Sequence, residues 1–289
     1  MKKKILITGS SGFIASSLID KISQTNEFEI LCLSREKTGN NYFNVKENNF
    51  QQLLNNKQFQ NIDIAINFAG YIPKPEKLDE TYKCSDANVG YLNEFLKFCV
   101  QKKIPKFIQI SSMSIFEGLK NQIISENTTP NPETRYSQSK LAAEFSILAL
   151  RKKFKKGIII LRPGFTYGSK MNKSRIIPFF IQNLKKNLDL DVFNSNQIIP
   201  LTYIDDLINL ILILLDSSCD VEIINVLNEE ISKSEIVKIL KKGMNSDSKI
   251  KFFDNQKLDV NIRFDNSYFL NYIEKIPLKM FSINFEKMI

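Results

Sequence analysis

At 289 residues the chain is too long for one minimal domain and short for two independent ones, and 43% hydrophobic with 25% charged content suits a globular core. Its 40 basic and 31 acidic residues leave a net charge of +9, but the lysines are spread along the chain with no nucleic-acid motif beside them. That argues against nucleic acid as partner and points the charge at a phosphate-bearing substrate. The absence of histidine removes imidazole as base, metal ligand and pH switch, and the four cysteines, Cys32, Cys84, Cys99 and Cys219, form no C-x-x-C pair, so neither a disulfide frame nor a metal site is expected.

The first hundred residues alternate short apolar runs with polar, helix-like segments. Residues 5–7 read as a buried strand that follows directly on Lys2, Lys3 and Lys4, with no leader expected ahead of it. A glycine turn and a helix over 13–23 follow, then a strand over 28–33, an apolar run at 62–68, a helix over 88–102 and a strand over 106–110. A helix over 136–153 and a strand over 158–161 complete the series. Such alternation predicts βαβ units on a parallel sheet buried on both faces. Beyond Pro163 the rhythm changes. Residues 169–175 read as a basic loop, 176–186 and 205–215 as helices, and 232–242 as a helix opened by the capping-box pattern of Ser232 and Glu235. The longest apolar stretch, 207–215, includes Asn209 and is too short to cross a bilayer, so a cytoplasmic protein without membrane partners is expected. The last forty residues give no clear pattern.

The predicted fold class is α/β: a Rossmann-type, doubly wound parallel sheet over residues 1–165, with a smaller C-terminal substrate-binding lobe over 166–289. Segments near 200–228 are expected to return to the first domain.

The first strand runs into Thr8-Gly9-Ser10-Ser11-Gly12-Phe13-Ile14-Ala15. Gly9 permits the tight turn, Gly12 permits close approach of a pyrophosphate, and Ala15 lets the helix pack on the strand. The helix N-terminus then offers N–H groups and a positive dipole end to phosphate. Cofactor contacts are expected from Thr8, Gly9, Ser11, Gly12, Phe13 and Ile14. The second strand ends in Ser34-Arg35, where an acidic residue would accept from the adenosine ribose and repel a 2′-phosphate. A neutral Ser34 beside cationic Arg35 favours NADP(H), with NAD(H) the alternative.

Tyr136 and Lys140 lie four residues apart at the start of a helix and so share a face. A phenol titrates ordinarily near about 10 and is a poor acid–base group at neutral pH; an adjacent ammonium favours the phenolate. Ser111-Ser112, at the end of the 106–110 strand, offers a hydroxyl to hold a substrate oxygen against Tyr136.

The order and spacing of these pieces resemble the extended short-chain dehydrogenase/reductase family, in its sugar-nucleotide epimerase/dehydratase branch. The resemblance rests on the glycine turn, Asn67-Phe68-Ala69-Gly70, Asn88-Val89-Gly90, Ser111-Ser112, Tyr136-x-x-x-Lys140, Leu161-Arg162-Pro163 with Tyr167-Gly168, and Tyr203-Ile204-Asp205-Asp206, with a weaker echo at Asn225. It implies Ser112 as the substrate-orienting hydroxyl, Tyr136 as acid/base, and Lys140 as the group that lowers the phenol's pKa and grips the nicotinamide ribose. It adds Phe68, Ala69, Gly70, Asn88 and Pro163 to the cofactor contacts, a nucleotide-linked sugar as substrate, and a homodimer through the 88–102 and 136–153 helices.

Departures from the family pattern narrow the chemistry. The Asp-Glu pair of the dehydratases is replaced by Met113 and Ser114, and the cysteine–histidine pair of the C3/C5 epimerases has no counterpart. What remains is hydride transfer with one proton relay: an NADPH-dependent 4-keto reductase, or else a 4-epimerase holding NAD. A non-catalytic NAD(P)-binding protein is the reading from another class. The positions of two usual diphosphate contacts hold Phe165 and either Ile199 or Pro200. Phe165, Lys170 and Arg175, with Lys173 nearby, are the expected substrate contacts, the cations replacing the missing groups electrostatically; the alternative is a smaller ketone or aldehyde without a nucleotide.

Overall fold

A computed structural model of the chain describes residues 2–34, 41–45, 49–73, 81–254, 262–274 and 279–288. The first elements are β1 (Lys3–Thr8), α1 (Phe13–Ser23), β2 (Phe28–Ser34), β3 (Tyr42–Asn44), α2 (Gln51–Leu54), β4 (Ile64–Asn67) and α3 (Thr81–Ser85). A π-helical turn, Asp86–Gly90, leads into α4 (Tyr91–Gln101), followed by β5 (Lys106–Ile110), β6 (Gln122–Ile124), α5 (Arg135–Leu148) and β7 (Gly157–Pro163). Then come β8 (Phe165–Tyr167), α6 (Ile176–Lys185), β9 (Leu190–Phe193), β10 (Ile198–Tyr203), α7 (Ile204–Leu215) and β11 (Val221–Val226). The last are β12 (Glu229–Ser232), α8 (Lys233–Gly243), β13 (Ile250–Phe253), β14 (Ile262–Phe264), α9 (Ser267–Tyr272) and α10 (Phe281–Asn284). Among the described residues, no helix is long and apolar enough to cross a membrane.

The chain divides into two compact units. The first comprises Met1–Gly118, Thr129–Arg162 and Ile211–Ile224; the second comprises Leu119–Thr128, Pro163–Leu210 and Asn225–Ile289.

A parallel seven-stranded sheet in the order β11-β7-β5-β4-β1-β2-β3 is the frame of the first unit. Ile5 pairs with Ile30 on one side and Ile64 on the other, and Ile64 with Lys106. Ile5, Leu6 and Ile7 are wholly buried, as expected of a strand covered by helices on both faces. One face packs an aromatic cluster: Phe50 meets Tyr91, Phe95 and Phe98, while Phe107 bridges Phe95 and Phe154. The strand order reverses at β1 and β4, the point where doubly wound sheets open a crevice at their carboxyl ends.

Two helices differ from the sequence reading. The helix expected over 88–102 begins earlier: α3 runs without a break into the π turn, and the chain becomes α-helical again at Tyr91. The extra residue of the wider turn accompanies a buried Asn88, and π-bulges of this kind collect at functional sites. The helix expected over 136–153 stops at Leu148 and tightens into a 3₁₀ turn at Arg151–Lys153. Its N-terminus carries a reciprocal capping box of Thr134 and Ser137, which the usual Ser/Thr-x-x-Glu/Gln signature misses. At α8, Ser232 accepts from the Glu235 N–H at 3.1 Å.

The second unit is built on three small sheets: β12-β10-β8, β13-β9 and β14-β6. Leu201 pairs with Phe165, and β10 runs antiparallel to β12.

Candidate active site

The turn between β1 and α1 is shaped by Gly9. Its φ is +64°, and a Cβ there would lie 2.6 Å from the Ala69 backbone nitrogen, so the fold itself requires glycine. Gly12 differs. Its φ is −71°, and among the described residues a Cβ would meet only the Gly9 carbonyl oxygen, at 3.1 Å. Ser11 and Gly12 are exposed, whereas Ala15 is wholly buried against the sheet. Phe13 and Ile14 are half-buried in the first turn of α1, which has no side-chain cap and no acidic residue. The turn therefore presents backbone N–H groups and a positive dipole end to an anion. The Ser10 hydroxyl donates to the Leu33 carbonyl at 3.2 Å, tying the turn to β2. Ser34, at the end of β2, is 8% exposed; Arg35 lies outside the described residues.

A buried polar chain crosses the carboxyl ends of three strands. Thr8 Oγ1 donates to Asn67 Oδ1, Asn67 Nδ2 to Gln109 Oε1 at 2.9 Å, and Gln109 Nε2 to the Ile110 carbonyl at 2.9 Å. Lys140 Nζ donates to that same carbonyl at 3.0 Å. The Ala69 N–H donates to Asn67 Oδ1 at 3.2 Å, while Phe68 is half-buried beside it. A Cβ on Gly70 would lie 3.1 Å from Asn88 Oδ1 and 3.3 Å from Lys140 Nζ, so any side chain there would press on both groups. Asn88 is held by the Tyr71 N–H at 2.7 Å and donates to the Tyr71 carbonyl at 3.0 Å and Ser139 Oγ at 2.8 Å.

Tyr136 and Lys140 come together as the helical spacing predicts. The Lys140 ammonium lies 5.8 Å from the centre of the half-buried Tyr136 ring. Burial pushes Lys140 down to about 8, opposed by the thiol of Cys84 and the carboxylate of Glu144. Ser112 caps a 3₁₀ turn, Met113–Phe116, by accepting from the Ser114 N–H at 3.1 Å. That use leaves its own O–H to donate. Met113 is buried in the core at 3% exposure and the Ser114 hydroxyl is neutral, so residues 111–116 offer no carboxylate. Sequence reasoning missed Glu117, which accepts from the Glu133 and Thr134 N–H groups and the Ser137 hydroxyl and so fixes the start of the helix bearing Tyr136.

Pro163 ends β7 and is buried. In the second unit, Phe165 is half-buried on β8, Lys170 is exposed in the basic loop, and the half-buried Arg175 stands at the N-cap of α6 without making a side-chain cap.

Residues 5–226 match the NAD dependent epimerase/dehydratase family. The chain belongs to that family. A dTDP-D-glucose 4,6-dehydratase of Dictyostelium discoideum is 31% identical over 269 residues, covering 82% of this chain and 61% of that protein. The chain thus spans about three fifths of that relative's length. A GDP-6-deoxy-D-talose 4-dehydrogenase of Aggregatibacter actinomycetemcomitans is 25% identical over 232 residues, 77% of this chain and 69% of that protein. The UDP-glucuronic acid 4-epimerase of Bacillus cereus, solved with UDP-glucuronic acid and NAD, superposes with a TM-score of 0.84 at 23% identity, over 99% of this chain and 97% of that one. The epimerase/dehydratase-family chain therefore carries the Rossmann-like fold expected from its sequence.

Proposed function

We propose that this family member transfers a hydride to or from one carbinol carbon of a nucleotide-linked sugar, most simply as a 4-keto reductase, with Ser112, Tyr136 and Lys140 as its catalytic set. The observation that carries this is the pairing of a buried cation, Lys140, with Tyr136 on one helix face, beside Gly70. The turn from Thr8 to Ile14, together with Phe68–Gly70, Asn88, Lys140 and Pro163, fits a nicotinamide dinucleotide. Gly12 is exposed, and among the described residues a Cβ there would meet the Gly9 carbonyl oxygen alone, which supports close approach of a pyrophosphate at that point. Bound there, the cofactor supplies or accepts the hydride.

The chain's own groups handle the proton. At neutral pH Lys140 is still mostly charged, and its ammonium favours the phenolate of Tyr136. Tyr136 gives a proton to the reacting oxygen in reduction and takes it in oxidation, while the Ser112 hydroxyl orients that oxygen. Positioned proton transfer of this kind contributes about 10²–10⁴-fold. Met113 and Ser114 leave dehydration without the acid–base carboxylates it needs. Phe165, Lys170 and Arg175 are proposed to meet the substrate, the two cations serving its diphosphate.

Ser34, neutral at the end of β2, supports NADP(H). The 4-epimerase reading with retained NAD draws its support from the likeness to the NAD-bound Bacillus cereus enzyme. Titration with NADPH and NADH, followed by assay with a panel of uridine-, thymidine- and guanosine-diphosphate sugars, separates them. Preferential NADPH binding and loss of a 4-keto sugar support the reductase; NAD released only on denaturation supports the epimerase. Tyr136→Phe is expected to keep cofactor affinity and lose turnover. Wild-type protein that binds cofactor but turns over none of the sugars would be a binding protein instead.

A further inference from the structure

A fully buried ion pair lies one helical turn beyond Lys140. Arg162, on β7, donates through Nε to Glu144 Oε1 at 3.0 Å and through a terminal nitrogen to Oε2 at 2.7 Å. Glu144, on α5, is 2% exposed and Arg162 4%. The same carboxylate accepts from the hydroxyl of Ser111, itself 3% exposed. Arg162 also stacks over the ring of Phe116, 5.4 Å from its centre. Ser111 and Phe116 are the two ends of the short segment that carries Ser112, and the Ser111 N–H is tied to the Leu161 carbonyl at 2.7 Å.

Burying a carboxylate and a guanidinium is costly, and apolar replacements of such pairs are often neutral or stabilising. A bidentate fork nevertheless fixes direction as few contacts do. Here the direction fixed is that of one strand end against one helix.

We infer that Glu144 and Arg162 are positioning residues, a clamp that holds the Ser111–Phe116 segment, and with it Ser112, against the helix face of Tyr136 and Lys140. The inference rests on the catalytic reading of those three residues. It gives the pair two consequences, one geometric and one electrostatic. Lys140 is faced by Tyr136 and Glu144 from its own helix, Cys84 from α3, Asn88 from the π turn, the Ile110 carbonyl from β5, and Arg162 behind Glu144. Neutralising Glu144 alone therefore leaves an uncompensated positive charge, which lowers the pH at which Lys140 gives up its proton.

The test uses the whole chain with its cofactor. Ser111→Ala keeps both charges and the Arg162–Phe116 stack and removes only the hydroxyl tether between Glu144 and the segment. It is expected to lower kcat about tenfold, an effect typical of slight misplacement, with KM and cofactor affinity close to wild type and the thermal midpoint lowered by a few degrees. A purely structural serine would leave kcat of the folded protein intact, and wild-type kcat in this variant overturns the clamp. Glu144→Gln is followed by the ¹³Cε resonance of Lys140, assigned by its absence in Lys140→Arg. Its titration is expected to move down by about one pH unit and to return toward wild type in Glu144→Gln/Arg162→Met. An unmoved titration overturns the electrostatic part. If the wild type turns over no nucleotide sugar, the functional reading fails, and the clamp is then judged on the lysine titration alone.

Discussion

Two buried lysines stand at opposite ends of one strand, and they differ in what the fold leaves them to do. Lys106 opens β5 and is wholly buried; Lys140 bonds the carbonyl that closes it and is 6% exposed. Burial pushes both down to about 8. A perturbed pKa marks neither as functional, since structural groups shift in the same way. The surroundings separate them. Lys106 spends its donors on the Leu214 and Ser217 carbonyls and on Ser217 Oγ at 3.1 Å, closing the carboxyl end of α7, where the helix dipole welcomes a cation. Among the described residues Lys140 makes one such bond and lies beside Tyr136 and Gly70. One lysine is used up by the fold and the other is held in reserve.

The comparison breaks most visibly through substitution. Lys140→Met is expected to cut turnover about 10²–10⁴-fold while the circular dichroism spectrum and unfolding midpoint stay near wild type. A variant that keeps its rate would make Lys140 as structural as Lys106.

The pH dependence sharpens the contrast on the stability side. A lysine whose folded pKa lies near 8, below its unfolded value of about 10.4, binds fewer protons folded than unfolded between those limits, so its contribution to stability rises with pH there. Cys99 and Cys219, raised by burial, pull the other way in this window, so the informative quantity is a difference. Unfolding free energy of the wild type minus that of Lys106→Met is expected to increase by on the order of 2 kcal/mol from pH 8 to pH 10. A flat difference would mean that Lys106 titrates normally. At neutral pH the same variant takes the ammonium away from the Ser217 carbonyl, while the Leu214 carbonyl keeps the Ser217 N–H and hydroxyl, and is expected to lose roughly 1–2 kcal/mol, with kcat unchanged. A large loss of activity at full stability would refute the division of labour.

Legibility followed the range of the interactions. The glycine turn, the Tyr136–Lys140 face and the basic loop at 169–175 are set by neighbours a few residues apart, and spacing exposes them. The π turn at Asp86–Gly90 is not visible in that way, because a single extra residue barely alters an apolar periodicity. The contacts of Glu117 with the start of α5 and of Glu144 with Ser111, just past β5, and with β7 join segments remote in sequence; each glutamate alone reads as a solvated charge. The pairing of β6 with β14 groups residues 119–128 with the second unit, and two three-residue strands leave no pattern to find. The same shortness explains why the last forty residues gave no reading.

The two glycines of the turn repeat the lesson of the two lysines at smaller energy. Gly9 is consumed by the fold: its φ is +64° and its missing Cβ makes room for the Ala69 backbone. Gly12 has a φ open to any residue, and among the described residues only the Gly9 carbonyl oxygen stands within contact of its absent Cβ. An alanine methyl at 12 therefore requires a shift of a few tenths of an ångström in the protein, yet it would stand where a pyrophosphate approaches the start of α1. Gly12→Ala is expected to keep the thermal midpoint within a degree or two, because surface changes of this size rarely exceed about 0.5 kcal/mol. Its cofactor dissociation constant should rise about tenfold, or roughly 1.4 kcal/mol, in a fluorescence titration. Unchanged affinity would mean that the cofactor does not pass over Gly12, and the anion-facing reading of the turn would have to move to the N–H groups of Phe13 and Ile14 alone.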